Sequence, residues 1–292
     1  MRFPPFSVVI PSLGGKHLVE TVDILNSSSI KPDEVILCVP KTALSYLVEL
    51  HADNIKVVPT DKRGQVAQRL EGFKVISNEV VVQIDDDVHV KEDTLEHLLK
   101  SLLVLGKGNT VGPVLYNAYD GRPITSYKSG VLGFMDDFYA CFIRGLPWGP
   151  KRSGAMSNIG CSSGVDPRYH PVPLLLTSWL PGGCCVSFRD DLILKDFYPF
   201  PGKAYSEDLI HSKLRADSRV IHYVALDAGV LIRTAVDIPS LEEVAAELRA
   251  RVYVAQLLGG CRLRALIAAG ADFARRTVIA LIIKVIGRMQ KA

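Results

Sequence analysis

The stretch VVVQIDDDVHV, Val80–Val90, runs an apolar segment straight into three aspartates. Three adjacent carboxylates repel one another, so the fold must offset that repulsion. One offset is a divalent cation. The other is a solvated turn that caps a helix beginning near Glu92. The choice depends on where the segment sits in the fold, so its neighbours are read first.

On both sides, strand-like and helix-like segments alternate. FSVVIPS (6–12), DEVILCVP (33–40), NIKVVPT (54–60) and EVVVQI (79–84) read as strands. GKHLVETVDILNSS (15–28), KTALSYLVELHA (41–52), GQVAQRLEGFKVIS (64–77) and KEDTLEHLLKSLLVLG (91–106) read as helices, with apolar residues near a 3.6 period. Such alternation predicts βαβ units with right-handed crossovers. The strands are continuous apolar runs, as expected where helices cover both faces of a parallel sheet. Residues 113–178 change character, being rich in Gly, Pro, Tyr and Ser, and predict loops and short strands around a cleft. SWLPGGCCVSFR (178–189) resumes the dense apolar pattern. YSEDLIHSKLRA (205–216) predicts a helix with Ser206 as N-cap, and VIHYVALDAGVLIRT (220–234) a final strand or strand pair. From Pro239 the chain reads as helical and basic.

In a parallel α/β sheet, ligands bind at the carboxyl ends of the strands. Asp85, Asp86 and Asp87 fall at such an end. On an extended segment Asp85 and Asp87 point the same way and could share one cation, with Asp86 turned aside. Hard oxygen ligands suit Mg²⁺ or Mn²⁺, completed by water and phosphate oxygens.

Composition bounds the rest. The chain has 292 residues, 48% hydrophobic and 22% charged, with a net charge of +3, so no global basic field for nucleic acid is present. From Leu241 onward there are nine Lys/Arg against four Asp/Glu. Six scattered cysteines form no CxxC pattern, and together with the absence of a signal peptide they predict free thiols in a cytoplasmic setting. No run of 18 apolar residues predicts a spanning helix. Gly14-Gly15-Lys16 lacks the spacing of a phosphate-binding P-loop.

Four pieces stand in a particular order: SVVIPSLGG (7–15), DKRGQVAQRLEGFKVISNEVVVQIDDDVHVKEDTL (61–95), SWLPGGCCVSFR (178–189) and YSEDLIHSKLR (205–215). In this arrangement the chain resembles a family-2 glycosyltransferase over residues 6–235. The resemblance implies the GT-A fold, a Rossmann-like, mostly parallel sheet flanked by helices. It implies a catalytic domain over 1–238, with 113–178 as acceptor-side loops, followed by basic amphipathic helices over 239–292. Asp85 and Asp87 match the ends of the family's DXD motif and would hold Mg²⁺ or Mn²⁺ on a nucleotide diphosphate, with Asp86 near the ribose. Pro11 and Ser12 match the wall of the nucleotide pocket, and Asp61, Gln65 and Arg69 would line it. WLPGG resembles the acceptor-side loop, and Asp208 matches the general base of inverting members, with Glu207 beside it. The chain departs from the family at VILCVPKT (35–42), where many relatives carry an Asp that reads the base. It also lacks the QxxRW motif of processive synthases, which implies addition of a single sugar.

Each of these residues has a plainer reading. Glu207 and Asp208 could instead complement a helix dipole. Gly182 and Gly183 allow close approach of backbone to a sugar, or simply a tight turn. Trp179 stacks on an acceptor sugar or belongs to the core. His211 shares a helical face with Asp208 and is a secondary phosphate or metal candidate, as is His222. The basic tail, with VIALIIKVIG (278–287) too short to span, suits a helix lying in a headgroup region, a pair of helices packed on the domain, or a dimer seam.

The leading expectation is a metal-dependent inverting transferase that moves one sugar from a nucleotide-diphosphate sugar to a glycan or lipid-linked acceptor, peripherally on the cytoplasmic membrane face. A sugar-nucleotide pyrophosphorylase would want a Gly-rich, Arg/Lys-bearing loop after the first strand, which PSLGGKHL matches poorly. A non-catalytic membrane-associated scaffold would not need acids at both stations.

Overall fold

The structure, a computed structural model, describes residues 2–47, 50, 52–233 and 239–289. Strands β1 (Phe6–Pro11), β2 (Glu34–Pro40), β3 (Ile55–Thr60) and β4 (Val80–Ile84) form a parallel block in the order β3-β2-β1-β4. Helices α1 (Lys16–Ser27), α2 (Gln65–Phe73) and α3 (Thr94–Leu105) flank it. Every residue of β1 and β4 is buried, which explains why these strands read as unbroken apolar runs.

The two faces hold different cores. Val8, Ile10, Leu37 and Val82 meet Leu18, Val22 and Leu25 of α1 and Leu95, Leu98, Leu99 and Leu102 of α3. The alternate residues Val9, Ile36, Cys38 and Val81 meet Phe73 of α2, together with Ile76 and Leu192. This period-two division follows from the strand pleat.

Beyond β4 the sheet becomes mixed. Strand β8 (Cys184–Phe188) runs antiparallel between β4 and β6 (Asn109–Asn117). The long β9 (Ile221–Ile232) is parallel to β6, while β5 (Val88–Val90) and β7 (Leu174–Thr177) are antiparallel to β9. Strand β8 enters between β4 and β6 from a distant part of the chain, so its neighbours and its direction are set by non-local pairing. That is why local periodicity shows β8 but not its direction.

Several local expectations change. Residues 41–47 form a 3-10 segment rather than an α-helix, and residues 48, 49 and 51 of the expected helix lie outside the described residues. The span 113–178 contains a helix, α4 (Gly130–Phe138), continued by a wider turn over Tyr139–Ile143. Ser206 does precede α5 (Glu207–Asp217), but its side chain makes no capping bond and its backbone is left-handed, φ 54°. The boundary expected at residue 238 falls within 234–238, outside the described residues.

The C-terminal helices α6 (Leu241–Leu257) and α7 (Arg262–Met289) pack on the rest of the chain. Ser240 and Glu243 form a reciprocal capping box that starts α6. Val254 of α6 packs with Trp179, Leu209 and Ile210, and Ala255, Ala265 and Ala268 pack with Ile159 and Cys161. Among the described residues all six cysteines are free, and no helix is long and apolar enough to cross a membrane.

Helix α2 lies close on the sheet because Gly72 has no side chain. A Cβ there would stand 2.5 Å from both Cys38 Sγ and Val9 Cγ1. Gly72→Ala is expected to destabilise the protein by about 1–3 kcal/mol through overpacking, read as a lower midpoint in urea unfolding.

Candidate active site

The aspartates do not continue β4 as an extended segment. Asp86 and Asp87 form a tight turn into β5, closed by the Val88 amide donating to the Asp85 carbonyl at 3.3 Å. Strand alternation therefore does not aim Asp85 and Asp87, yet the turn brings all three aspartates to one cleft. Strand β5 separates them from α3, whose N-cap residue is Asp93, so they do not cap that helix.

The cleft has a volume of about 740 Å³, and its walls include Pro11, Ser12, Gln65, Gln68, Asp85, Asp86 and Asp87. It lies at the carboxyl ends of β1 and β4, as expected for a parallel block. Ser12 donates its hydroxyl to the Asp86 carboxylate, and Thr21 donates to the Asp86 carbonyl at 2.8 Å. Burial holds the Asp86 carboxyl above its ordinary value, and the hydrogen bond from Ser12 only partly counters this.

Asp85 Oδ1 accepts hydrogen bonds from Gln65 at 2.6 Å and Arg69 at 2.9 Å. Arg69 is buried, and its other terminal nitrogen lies 3.3 Å from Glu207 Oε1. Burial opposes the Arg69 charge, but Glu207 and Asp85 outweigh it and hold the guanidinium above its ordinary value. One cation thus joins the DDD turn to the start of α5. The left-handed Ser206 stands just before this junction, where strain of about 1–3 kcal/mol is commonly stored.

Gly182 and Gly183 lie against these acids. A Cβ on Gly182 would stand 2.1 Å from Glu207 Oε1, and one on Gly183 3.2 Å from Asp85 Oδ2. The glycines therefore make room for carboxylates. Asp208, half-buried beside Glu207, accepts a bond from the Leu209 amide at 3.0 Å. Burial and the neighbouring Glu207 charge push its carboxyl up to about 7. Burial likewise raises Glu207, with Arg69 opposing the shift.

Other candidates sit elsewhere. Asp61 is exposed, pairs with Lys41 at 2.6 Å, and is not part of the cleft wall. His211 is buried and stacks on Phe197 with ring centroids 5.1 Å apart; burial holds it well below its ordinary value and so neutral. It lines a separate small cavity with Arg69 and Phe197. His222 is buried in β9 and pushed down to about 4, chiefly by burial. Trp179 is buried, donates to the Ser163 carbonyl at 3.0 Å, and forms one wall of a second chamber of about 520 Å³. Residues 113–178 supply most of that chamber's lining, including Tyr127, Lys128, Arg144 and Arg152.

Sequence reading missed several contributors. Arg63 and Lys203 add positive charge to the cleft wall. Buried Gln68 donates to the carbonyls of Ser12 and Cys38 at 2.7 and 2.6 Å, holding the ends of β1 and β2 together. Buried Arg215 reaches Gln83 Oε1 at 3.2 Å, and Gln83 donates to the Gly182 carbonyl at 3.0 Å. Gln83, a polar residue inside an otherwise apolar strand, was the one visible signal of this network.

Asp85 and Asp87 offer hard carboxylate oxygens for a metal. Among the described residues, no group of three or more His, Cys, Asp or Glu forms a metal cage. That donor set suits a cation completed by phosphate and water better than a closed structural site.

The sequence model described as Glycosyl transferase family 2 matches residues 7–155. No curated protein sequence matches the chain. Among solved structures, GalNAc-T7 with UDP, GalNAc and Mn²⁺ superposes with a TM-score of 0.54 at 14% identity, covering 80% of this chain and 43% of that one. This chain thus spans less than half the length of GalNAc-T7. Glucosyl-3-phosphoglycerate synthase from Mycobacterium tuberculosis, in complex with Mn²⁺, UDP and phosphoglyceric acid, superposes with a TM-score of 0.52 at 17% identity, covering 88% of this chain and 80% of that one. Identities this low establish a shared fold.

Replacing Arg69 with Met would leave two carboxylates without their counter-charge. The expected loss is about 3–5 kcal/mol in urea unfolding. The loss should be larger at about pH 8 than at about pH 5, because burial already raises the Glu207 carboxyl and losing Arg69 raises it further, so protonation at the lower pH relieves it.

Proposed function

Because the chain belongs to glycosyl transferase family 2, we propose that it is a metal-dependent, inverting glycosyltransferase adding one sugar at a time. The donor is a nucleotide-diphosphate sugar. The acceptor is a glycan or lipid-linked glycan, as in cell-surface polysaccharide or glycolipid synthesis, met at the cytoplasmic membrane face. The observation carrying this reading is that Arg69 joins the two acidic groups, pairing with Asp85 of the DDD turn and with Glu207, next to Asp208, at the start of α5.

Asp208 takes the proton from the acceptor hydroxyl as the new bond forms at the anomeric carbon. A carboxyl held near 7 suits that task, being ionised in a large fraction at neutral pH and basic enough to accept a proton. Asp85 and Asp87 would hold Mg²⁺ or Mn²⁺, which would supply positive charge to offset the negative charge growing on the departing diphosphate. Arg63 and Lys203, which line the same cleft, add positive charge toward that diphosphate. Pro11, Ser12, Gln65 and Asp86 hold the nucleoside. Gln65 and Arg69 fix the Asp85 carboxylate by their bonds to Oδ1. Glu207 keeps Arg69 in place and raises the basicity of Asp208. Trp179 walls the acceptor chamber.

The test is release of nucleoside diphosphate from nucleotide sugars with and without Mn²⁺. Asp208→Asn is expected to lower turnover at least about 10³-fold while donor affinity stays within about twofold. Full activity in that variant would overturn the base assignment, and metal-independent turnover would overturn the role of Asp85 and Asp87.

The same carboxyl makes an opposite prediction for stability. Its folded value lies above its unfolded one, so folding takes up a proton between them and stability falls as pH rises from about 4 to about 7. Asp208→Asn should therefore be more stable than the parent at about pH 8 by up to about 2 kcal/mol, the full shift being reduced for a half-buried group, with little difference at about pH 4. Paired thermal melts at the two pH values measure this. The initial rate should rise with pH through about 7.

A further inference from the structure

Helix α4 is built inside out. Val131, Leu132, Phe134, Met135, Phe138 and, in the turn that follows, Phe142 are exposed, at 76%, 65%, 61%, 61%, 48% and 58%. Val131, Met135, Phe138 and Phe142 recur at helical spacing and form one stripe. The charges point inward. Asp136 and Asp137 both accept from buried Arg152, and Asp136 also accepts from Arg275 at 3.1 Å. A helix facing water shows the reverse pattern, and a patch of this size on a soluble chain marks an interaction surface.

Helix α7 adjoins α4 and repeats the pattern. Tyr139 donates to Asp272 at 2.7 Å, and Arg275 lies over the Tyr139 ring at 5.2 Å. Ala265, Ala268 and Ala269 face inward, while Leu263, Ile267, Val278 and Leu281 form an exposed stripe at helical spacing. Arg262 and Arg264 near the helix start, and Arg275 and Arg276 in its middle, are exposed at the stripe's margins.

We infer that α4 and α7 together form a face that lies in the headgroup region of an anionic phospholipid bilayer. Apolar stripes bordered by arginines match both layers of such a surface, acyl chains below and phosphates above. Trp148, beside Phe134 with ring centroids 5.5 Å apart, suits the boundary between them. This assigns membrane contact to a helix within the catalytic part of the chain as well as to the basic tail.

The face also borders the second chamber. Lys128, Asp136, Arg144 and Arg275 line that chamber, and Asp136 and Arg275 belong to α4 and α7 themselves. An amphiphilic acceptor held in the bilayer could therefore present an anionic head group to these cations and extend toward Trp179. This last step rests on the transferase reading, whereas the docking does not.

The test uses the full chain with vesicles of phosphatidylcholine containing phosphatidylglycerol, against pure phosphatidylcholine. The protein should co-sediment with the anionic vesicles and, more weakly, with the neutral ones. Phe134→Ser with Phe138→Ser should lower the partition coefficient at least about tenfold while the thermal shift by nucleoside diphosphate and Mn²⁺ is unchanged. In the unmodified protein, brominated lipid should quench Trp148 emission, a readout that needs no variant to fold. Absence of binding and quenching on anionic vesicles overturns the inference, as does unchanged binding by the double variant. So does a stable dimer without lipid that the double variant converts to monomer, since the face would then belong to a second copy. Loss of the nucleotide shift in the parent would count against the transferase reading and leave the docking result standing.

Discussion

Arg69 is one buried guanidinium shared by two carboxylates, Asp85 on the turn after β4 and Glu207 at the start of α5. The two acids repel each other and Glu207 is buried, so a cation between them offsets both the repulsion and the loss of water around Glu207. Other features of the site depend on this arrangement. Gly182 lacks a side chain because Glu207 occupies that space. Asp208 is raised partly because Glu207 stays beside it.

A second buried cation keeps the geometry in place. Arg215 lies two turns further along α5 and holds Gln83, which in turn holds the Gly182 carbonyl. The strand, the glycine loop and the helix are thereby tied by polar bonds that a purely apolar core would not specify. Gln68 does the same for the ends of β1 and β2. Such networks are costly if half-made, so they favour one arrangement of loops over many near alternatives. The left-handed Ser206 and the raised Asp208 carboxyl lie at the same spot, and both cost stability.

The molecule also separates its polar and apolar tasks in space. The cleft beside the aspartates is lined by carboxylates, amides and cations. The opposite character appears on α4 and α7, where large apolar side chains face outward, while Asp136 and Asp137 of α4 turn in to buried Arg152. The chamber walled by Trp179 takes part of its lining from Asp136 of α4, Arg275 of α7 and Pro181 of the loop leading to Gly182.

Much of this was legible in the chain. Period and composition fixed the parallel block, because strands covered on both faces must be apolar throughout and the helices between them must alternate. The DDD cluster after such a strand located the cleft, and SED at a helix start located the second acidic group. Both signals are local. The direction of β8, the turn that carries Asp86 and Asp87, and the unwinding of residues 41–47 were decided by packing between distant segments. So was the pairing of Arg69 with Glu207, 138 residues away. Asp61 and His211 show the same limit: one faces solvent beside Lys41 and the other packs on Phe197, although their sequence neighbours line the site. Helix α4 was not expected, since 113–178 reads as loops and short strands, and neither was the direction in which its apolar stripe faces. The tertiary structure decided that, because buried Arg152 holds Asp136 and Asp137 on the inner side.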